Sequence, residues 1–295
     1  MKAHVLCAVC VSAALAAGAC KPELTEGGFV DQEIDAGVEQ SQDAGRVEAD
    51  FTDMTGTWAL VADFSTCVTL FKTEEVRNRT VSKVTITQER LSLTEIHEDC
   101  ESGNTPVANL EAQVPLTTVQ TANPMEVSSV LFGTEVGSTY RSQLKVRTWG
   151  IDMDDPIGDS FPRAADLPDE RIFDADEDGN PGVTLIIGDD FCRVFIVQRA
   201  LESISGTLMD DGSIQGGGSL ATVQTFLGAT NDFCSSEYDI VGNDTFSAFR
   251  MVRVDERGLD FDEDGDGEVS CDEILARRES ILVYESPDES RCDDP

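Results

Sequence analysis

The chain is 295 residues long and carries 57 acidic against 21 basic residues, a formal net charge of −36 at pH 7. Apolar residues make up 40% of it, which supplies a folded core and argues against disorder throughout. The negative charge argues against nucleic acid and anionic lipid surfaces as partners, because their phosphate groups are repelled by this field.

The first 19 residues have the features of an export signal. Lys2 precedes a short apolar run at 5–17, which is too short to span a bilayer. The segment then ends Ala-Ala-Gly-Ala-Cys at Cys20, which resembles the lipobox of bacterial lipoproteins. The resemblance implies an exported chain, lipid-anchored through Cys20 to the bacterial outer membrane or cell surface, with the anchor as its only membrane contact. Ordinary secretory cleavage after residue 19 is the alternative.

An acidic tether is predicted over residues 20–50, beginning at the lipidated Cys20. The segment is rich in Glu, Asp, Gln and Gly and holds few large apolar side chains, so it cannot bury enough surface to order itself. A flexible chain of this length reaches on the order of 30 Å. A β domain is predicted to follow it, over residues 51–255.

The β domain is predicted from short runs rich in Val, Thr, Ile and Phe, which turn residues separate. Six runs have strand character: 81–87, 140–148, 183–187, 193–198, 219–226 and 246–254. No long helical periodicity appears before residue 270. Repeated strands over about 200 residues predict an all-β fold, either an antiparallel β-barrel or a sandwich.

Residues 55–58, Thr-Gly-Thr-Trp, open the first strand. A Gly-x-Trp at the start of an eight-stranded barrel resembles the lipocalins, in which the tryptophan closes one end. The resemblance implies a lipocalin-like barrel that holds one small apolar ligand. Trp58 as an ordinary core residue is the other interpretation, and the choice between barrel and sandwich stays open.

Residues 262–273, DEDGDGEVSCDE, carry oxygen donors at the offsets of a calcium loop. Gly267 stands at position 6, where the sharp turn needs a residue free to take positive φ, and the apolar Val269 stands at position 8. The loop strongly resembles that of the EF-hand and predicts Ca²⁺ as cofactor. The predicted ligands are the carboxylates of Asp262, Asp264 and Asp266, the backbone carbonyl of Glu268, the hydroxyl of Ser270 or a water on it, and the bidentate carboxylate of Glu273.

The flanks of this loop predict one helix and not two. Ser270 and Glu273 form a capping box, and apolar positions after it mark one face of a helix running to about residue 283. Upstream, 246–254 has strand character. Residues 256–295 are therefore predicted as a calcium loop plus one helix, more similar to dockerin-type modules than to paired sensors, without an opening switch.

A second acidic cluster repeats the start of the pattern with Asp174, Asp176 and Asp178. Its position 8 is Pro181 and its position 12 is Leu185, so it departs from the EF-hand loop. It is similar to the aspartate-rich calcium repeats of thrombospondin type 3, with a further ligand from Asp189 or Asp190. An acidic turn without metal is an equal alternative.

Six cysteines remain when the signal and Cys20 are set aside, an even number that suits disulfides in an exported chain. They are Cys67, Cys100, Cys192, Cys234, Cys271 and Cys292. Sequence neighbours are expected to pair, as 67–100, 192–234 and 271–292. The last pair would clip the tail onto the calcium loop.

His97 is the one histidine after the signal segment, and its acidic neighbours predict a surface position. A single histidine leaves little for a Ser-His-Asp triad or a multi-histidine zinc site, so no enzyme is expected. The sequence predicts a calcium-binding, envelope-anchored binding or structural module, in which calcium is structural. The alternatives are a lipocalin-like carrier of a small ligand and an acid-dyad hydrolase of envelope polysaccharide.

Overall fold

A computed structural model describes residues 53–69, 73–105, 112–133, 135–188, 190–231, 234, 239–281 and 292. The predicted signal, Cys20 and the tether lie outside these residues. Among the described residues, none of the helices has the length and apolar character that crossing a membrane requires.

The described chain is mostly β-strand, and every pairing between its named strands is antiparallel. The strands are β1 (Gly56–Thr69), β2 (Thr73–Glu89), β3 (Ser92–Asn104), β4 (Ala112–Gln113), β5 (Met125–Phe132), β6 (Thr139–Ser142), β7 (Lys145–Trp149), β8 (Val183–Ile187), β9 (Cys192–Leu208), β10 (Ile214–Ala229), β11 (Asp239–Gly242) and β12 (Ala248–Arg253). The helices are α1 (Leu116–Gln120), α2 (Cys271–Ala276) and α3 (Arg278–Ile281). The prediction of an all-β fold is confirmed.

The predicted bounds of the strands agree best with the structure where the apolar residues form a continuous run. The strand at 183–187 has the predicted bounds, whereas β2, β9 and β10 extend well beyond the predicted runs and 140–148 divides into β6 and β7. Strands β3 and β5 were not predicted. Acidic residues and serine occupy some of their buried positions, so their apolar alternation is interrupted.

Eight strands pair in a closed circuit, in the order β10, β12, β1, β2, β3, β5, β6 and β9, after which β9 pairs with β10 again. The remaining four strands join β1, β3 and β9 or each other. Because the ladder returns to its first strand, the described strands form one sheet that encloses a common interior.

The main core fills much of this interior, and all eight strands of the circuit contribute to it. Its members are Met54, Trp58, Leu60, Ala62, Phe64, Val84, Ile86, Leu93, Leu131, Tyr140, Ala200, Ile204, Leu208, Ile214, Leu220, Phe249 and Met251. The indole Nε1 of Trp58 donates to the carbonyl oxygen of Met54 at 2.8 Å. Trp58 is therefore a satisfied core residue.

Glycines let β9 and β10 approach closely in this core. Gly216 pairs with Gly206 in the regular ladder, and a Cβ on Gly216 would lie 2.1 Å from the carbonyl oxygen of Ser205. A Cβ on Gly218 would lie 2.7 Å from the ring of Phe64. Larger residues at these positions would push strand or ring out of place.

A second apolar cluster lies on the outer face of β1, β2 and β12, where the C-terminal segment covers the sheet. The sheet contributes Ala59, Val61, Val81, Val252 and Val254, and the segment contributes Phe261, Val269, Ile274 and Ile281. We call this group the outer cluster. Ile274 and Ile281 are both 0% exposed, and burying each stabilises the fold by about 1.5–3 kcal/mol.

The six predicted cysteines form three disulfides, Cys67–Cys292, Cys100–Cys271 and Cys192–Cys234. The expected neighbour pairing is right for the last of these and wrong for the other two. The C-terminal segment lies along the sheet, so Cys271 meets β3 and residue 292 meets β1. Cys100 is the extra residue of a β-bulge, because the step from Val81 to Ser82 faces the step from Glu101 to Asp99.

Candidate calcium site

The predicted calcium loop lies between β12 and α2. One carboxylate oxygen each from Asp262, Asp264 and Glu273 lies within 4.8 Å of the other two. We call these three residues the loop carboxylates. Asp266 is not among them; its Oδ1 accepts from the backbone N–H of Glu268 at 2.8 Å. The structure thus brings together acids from both ends of the loop.

Backbone turns at two glycines produce this convergence. Gly265 has φ of +73° and Gly267 has φ of +87°, backbone angles that residues other than glycine rarely adopt. Their N–H groups point inward and donate to Asp262, at 2.7 Å from Gly265 to Oδ1 and at 2.9 Å from Gly267 to Oδ2. The role predicted for Gly267 matches its conformation.

Glu273 closes the loop across its mouth. Its Oε1 accepts from the N–H of Glu263 at 2.7 Å, and its Oε2 accepts from the N–H of Ser270 at 2.7 Å and from the Ser270 hydroxyl at 2.8 Å. These hydrogen bonds from Ser270 and Glu263 lower the pKa of Glu273 to about 2. The carboxylate is therefore charged at neutral pH, as a cation ligand must be.

Both ends of the loop are fixed in the outer cluster, since Phe261 is 2% exposed and Ile274 is 0% exposed. The guanidinium of Arg277 lies 5.1 Å from the ring centroid of Phe261 and pairs with Glu263 at 2.8 Å. The last described element before the loop is the strand β12 and not a helix, and the predicted single helix after the loop is divided at Arg277 into α2 and α3.

The second acidic cluster has the same turn at its start. Asp174, Asp176 and Asp178 each offer an oxygen within 4.8 Å of the other two. Oδ2 of Asp174 accepts from the N–H of Gly179 at 2.8 Å, and Gly179 has φ of +90°. The first six residues therefore fold as in the calcium loop.

Hydroxyl groups occupy part of this second cluster. Oδ2 of Asp176 accepts from the Thr118 hydroxyl at 2.9 Å and from the N–H of Thr184 at 2.8 Å, while the Thr184 hydroxyl donates to Asp178 at 2.5 Å. Oδ1 of Asp176 is buried and has no hydrogen-bond partner in the described chain. One acceptor in this cluster is thus left open.

Among the described residues, neither position 12 nor Asp190 brings a fourth acid to this cluster. Leu185, at position 12, is 8% exposed and packs in an apolar cluster with Trp149. Asp190 pairs with Arg193 at 2.8 Å, and Asp189 lies outside the described residues.

His97 is not at the surface as expected, because it is only 3% exposed. Alternation along β3 turns residues 93, 95, 97 and 99 inward, so His97 faces the interior and its Nε2 lies 2.8 Å from Oε2 of Glu95. Glu98 faces outward and pairs with Lys83. The flanking acids suggested solvent, but two of them are themselves buried.

Two cations on β7 compensate Asp99 and a further buried acid, Glu202. Asp99 pairs with Arg147 at 2.5 Å and with Lys145 at 3.5 Å, and Arg147 also pairs with Glu202 at 3.2 Å. Burial disfavours the charged form of Asp99, but the charges of Arg147 and Lys145 outweigh it and hold its pKa well below the usual range. The sequence signal for these buried ion pairs was the alternation of acids over 95–99 and of cations over 145–147.

A small cavity lies beside these charges, lined by Leu60, Ala62, Phe64, Thr80, Ser82, His97, Val127, Ser142, Lys145, Glu202, Ser203 and Ile204. Its volume is ≈ 20 Å³, room for one water molecule. Pockets for small organic ligands are usually about 300–1,000 Å³. This cavity is therefore far too small for such a ligand.

No protein-family model, no curated protein and no solved structure matches the chain. The resemblances to EF-hand loops, lipoproteins and lipocalins therefore rest on the residues quoted above. Function has to be argued from the sites themselves.

Proposed function

We propose that the protein is a calcium-binding module of the bacterial cell envelope, exported and held to a membrane by lipid on Cys20. Calcium has a structural role in it. The observation that carries the proposal is the convergence of Asp262, Asp264 and Glu273 within 4.8 Å, in a loop with both ends buried in the outer cluster.

Charge supports a cation at this place. Three carboxylates this close repel one another, and a divalent ion converts the repulsion into attraction. The ion would join the start of the loop to Glu273 at the start of α2, and the disulfide Cys100–Cys271 joins α2 to β3. Calcium and the disulfide together would therefore connect the loop, through α2, to β3.

The packing supports a structural and not a regulatory ion. The side chains that follow the loop, such as Ile274 and Ile281, are already buried against the sheet. A sensor instead opens to expose an apolar groove when calcium binds. Calcium sites outside the cell bind at about 10⁻⁴–10⁻³ M, and we expect this range here.

The size of the cavity beside His97 and the surroundings of the buried acids support a module over the two alternative functions. A carrier needs a cavity of ligand size, and this cavity is ≈ 20 Å³. A hydrolase of the acid-dyad type needs two carboxyl groups open to a sugar. Glu95, Asp99 and Glu202 are instead buried and bonded to hydroxyl donors or cations.

Terbium luminescence tests the calcium site directly, on the mature chain stripped of metal. We expect emission that saturates and that calcium competes away. Glu273→Gln should weaken terbium binding by tenfold or more, since it removes the closing carboxylate. Glu268→Gln is the matched control, because position 7 contributes its backbone carbonyl. Absence of emission up to millimolar terbium would reject the site.

The lipid anchor has an independent test. Replacing Cys20 by serine should move the protein from the membrane fraction to the soluble fraction of the envelope. Wild-type protein that stays soluble, with the mass of an unmodified chain, would contradict the anchor and leave the calcium proposal untouched.

A second calcium site at Asp174, Asp176 and Asp178 is the further candidate. The buried, unpartnered Oδ1 of Asp176 favours it, because such an acceptor is costly to leave unmatched. Asp176 and Asp178 already accept hydrogen bonds from the protein, so we expect calcium to bind more weakly there than at the first loop.

A further inference from the structure

Six ionisable side chains lie inside the strand circuit, apart from either calcium loop. They are Glu95, His97, Asp99, Lys145, Arg147 and Glu202, and none of them is more than 9% exposed. Asp99, Lys145, Arg147 and Glu202 form a network of ion pairs, and Glu95 accepts from the Ser129 hydroxyl. Two of the six keep a buried nitrogen without a hydrogen-bond partner in the described chain: His97 at Nδ1 and Arg147 at Nε.

Glu95 determines which nitrogen of His97 is left open. Its carboxylate accepts from the hydroxyl of Ser129 and from the hydroxyl of Tyr140 at 2.8 Å, and Nε2 of His97 lies 2.8 Å from its Oε2. A carboxylate only accepts hydrogen bonds, so Nε2 carries the proton. The other ring nitrogen, Nδ1, is buried and has no hydrogen-bond partner in the described chain.

His97 lines the cavity of ≈ 20 Å³, together with Lys145, Ser82 and Thr80. The Lys145 ammonium has three N–H donors, but its carboxylate partners lie at 3.5 Å and 3.8 Å. These distances are at or beyond the limit of a hydrogen bond, so donor capacity remains on this side of the cavity. Polar groups on several strands therefore line a space that is large enough for one water molecule.

We propose that this cavity is a binding site for ordered water, which bonds to Nδ1 of His97 and to the Lys145 ammonium. The ligand class follows from size and chemistry: about 15 Å³ is enough for one water, and a water needs two to four polar partners. The bound water completes the buried charge network. The interior is then a hydrated ionic centre, and this role is separate from calcium binding.

The mature chain offers a clean probe, because His97 is the one histidine in it once residues 1–19 are removed. In protein labelled with ¹⁵N-histidine, we expect cross-relaxation between a long-lived water and the His97 ring protons. A crystal structure should also hold a water within about 2.7–3.2 Å of Nδ1. If either the cross-relaxation or the water density is missing, the proposal is wrong.

A pair of alanine variants sharpens the test. Ala62 lines the cavity and Ala200 does not, although both belong to the main core. Ala62→Val should abolish the water signal at His97 and lower the melting temperature, because filling the cavity strands Nδ1. Ala200→Val should keep the water signal. A melting temperature raised by Ala62→Val, as for the filling of a dry cavity, would overturn the proposal. If Ala62→Val does not fold, the wild-type spectrum and crystal structure decide.

Discussion

The two Asp-x-Asp-x-Asp-Gly loops of this chain begin alike and end differently. Asp262 accepts from the N–H of Gly267 at 2.9 Å, and Asp174 accepts from the N–H of Gly179 at 2.8 Å. The glycine φ angles are +87° and +90°. Six residues of sequence thus produce the same turn in two unrelated surroundings.

The two loops differ at position 12. In the first it is Glu273, which returns across the loop and completes the loop carboxylates. In the second it is Leu185, which is buried in an apolar cluster, while the Thr184 hydroxyl bonds to Asp178. The comparison teaches that the glycine turn gathers aspartates, whereas a closing carboxylate has to come from position 12 and is present in the first loop only. On the calcium proposal, the first loop should therefore hold the ion more strongly.

The largest expected effect concerns the disulfide that only the first loop has. Replacing Cys100 and Cys271 together by serine should destabilise the protein by about 2–5 kcal/mol. It should also weaken calcium binding at the first loop, because α2 is no longer fixed to β3. Calorimetry of unfolding and calcium titration measure the two effects.

The matched control is the double serine variant at Cys192 and Cys234. This disulfide lies outside the calcium loop, so its loss should lower stability and leave calcium affinity at the first loop unchanged. Equal effects of the two double variants on calcium affinity would contradict the connection between disulfide and loop.

Removing calcium should have the next largest effect. At a calcium concentration about 100 times the Kd, bound calcium contributes about 2.7 kcal/mol. For a domain of this size, adding a chelator should therefore lower the melting temperature by roughly 5–10 °C. Glu273→Gln should reproduce most of this loss without chelator. A variant that responds to chelator as fully as the wild type would show that the ion lies elsewhere.

A smaller effect is expected from the second loop. Asp176→Asn neutralises the carboxylate with the open oxygen, so calcium stoichiometry should fall from two to one while the first site is kept. Stability with calcium should change by no more than about 1–3 kcal/mol, the usual cost of an altered buried hydrogen-bonding group. A wild-type stoichiometry of one would mean that this loop is an acidic turn without metal.

The smallest expected effect is a change in how the stability of the metal-free protein depends on pH. The pKa of Glu273 is lowered from 4.5 to about 2, so its contribution to stability is present above pH 4.5 and is lost as pH falls towards 2. Glu273→Gln should flatten the melting temperature across this interval. An unchanged pH profile would mean that Ser270 and Glu263 do not hold the carboxylate in solution.

The turn of the acidic loop at 262–273 and the return of Glu273 across it could be predicted from the sequence because their determinants are local. Gly267, Val269 and Glu273 stand at fixed offsets, and the chain between them has few ways to turn. The predicted ligand set is only partly gathered, however: Asp266 turns to the backbone of Glu268 instead.

Features that depend on distant strands could not be predicted. Cys100 meets Cys271 because the C-terminal segment covers the outer face of the sheet, and no spacing rule encodes that contact. His97 is buried together with Asp99, and the charge of Asp99 is neutralised by Lys145 and Arg147 on β7. The sequence around His97 does not show these distant cations, so its acidic neighbours predict a surface position.

The position of the outer cluster has a consequence for the order of folding. Val61 on β1 and Val252 on the adjacent β12 are covered by residues that follow β12 in the chain, including Ile274 and Ile281. A chain that has been synthesised only as far as β12 leaves this apolar strip in contact with water. Such an incomplete chain exposes the kind of surface that promotes aggregation, and the segment after β12 removes that surface when it packs on the sheet.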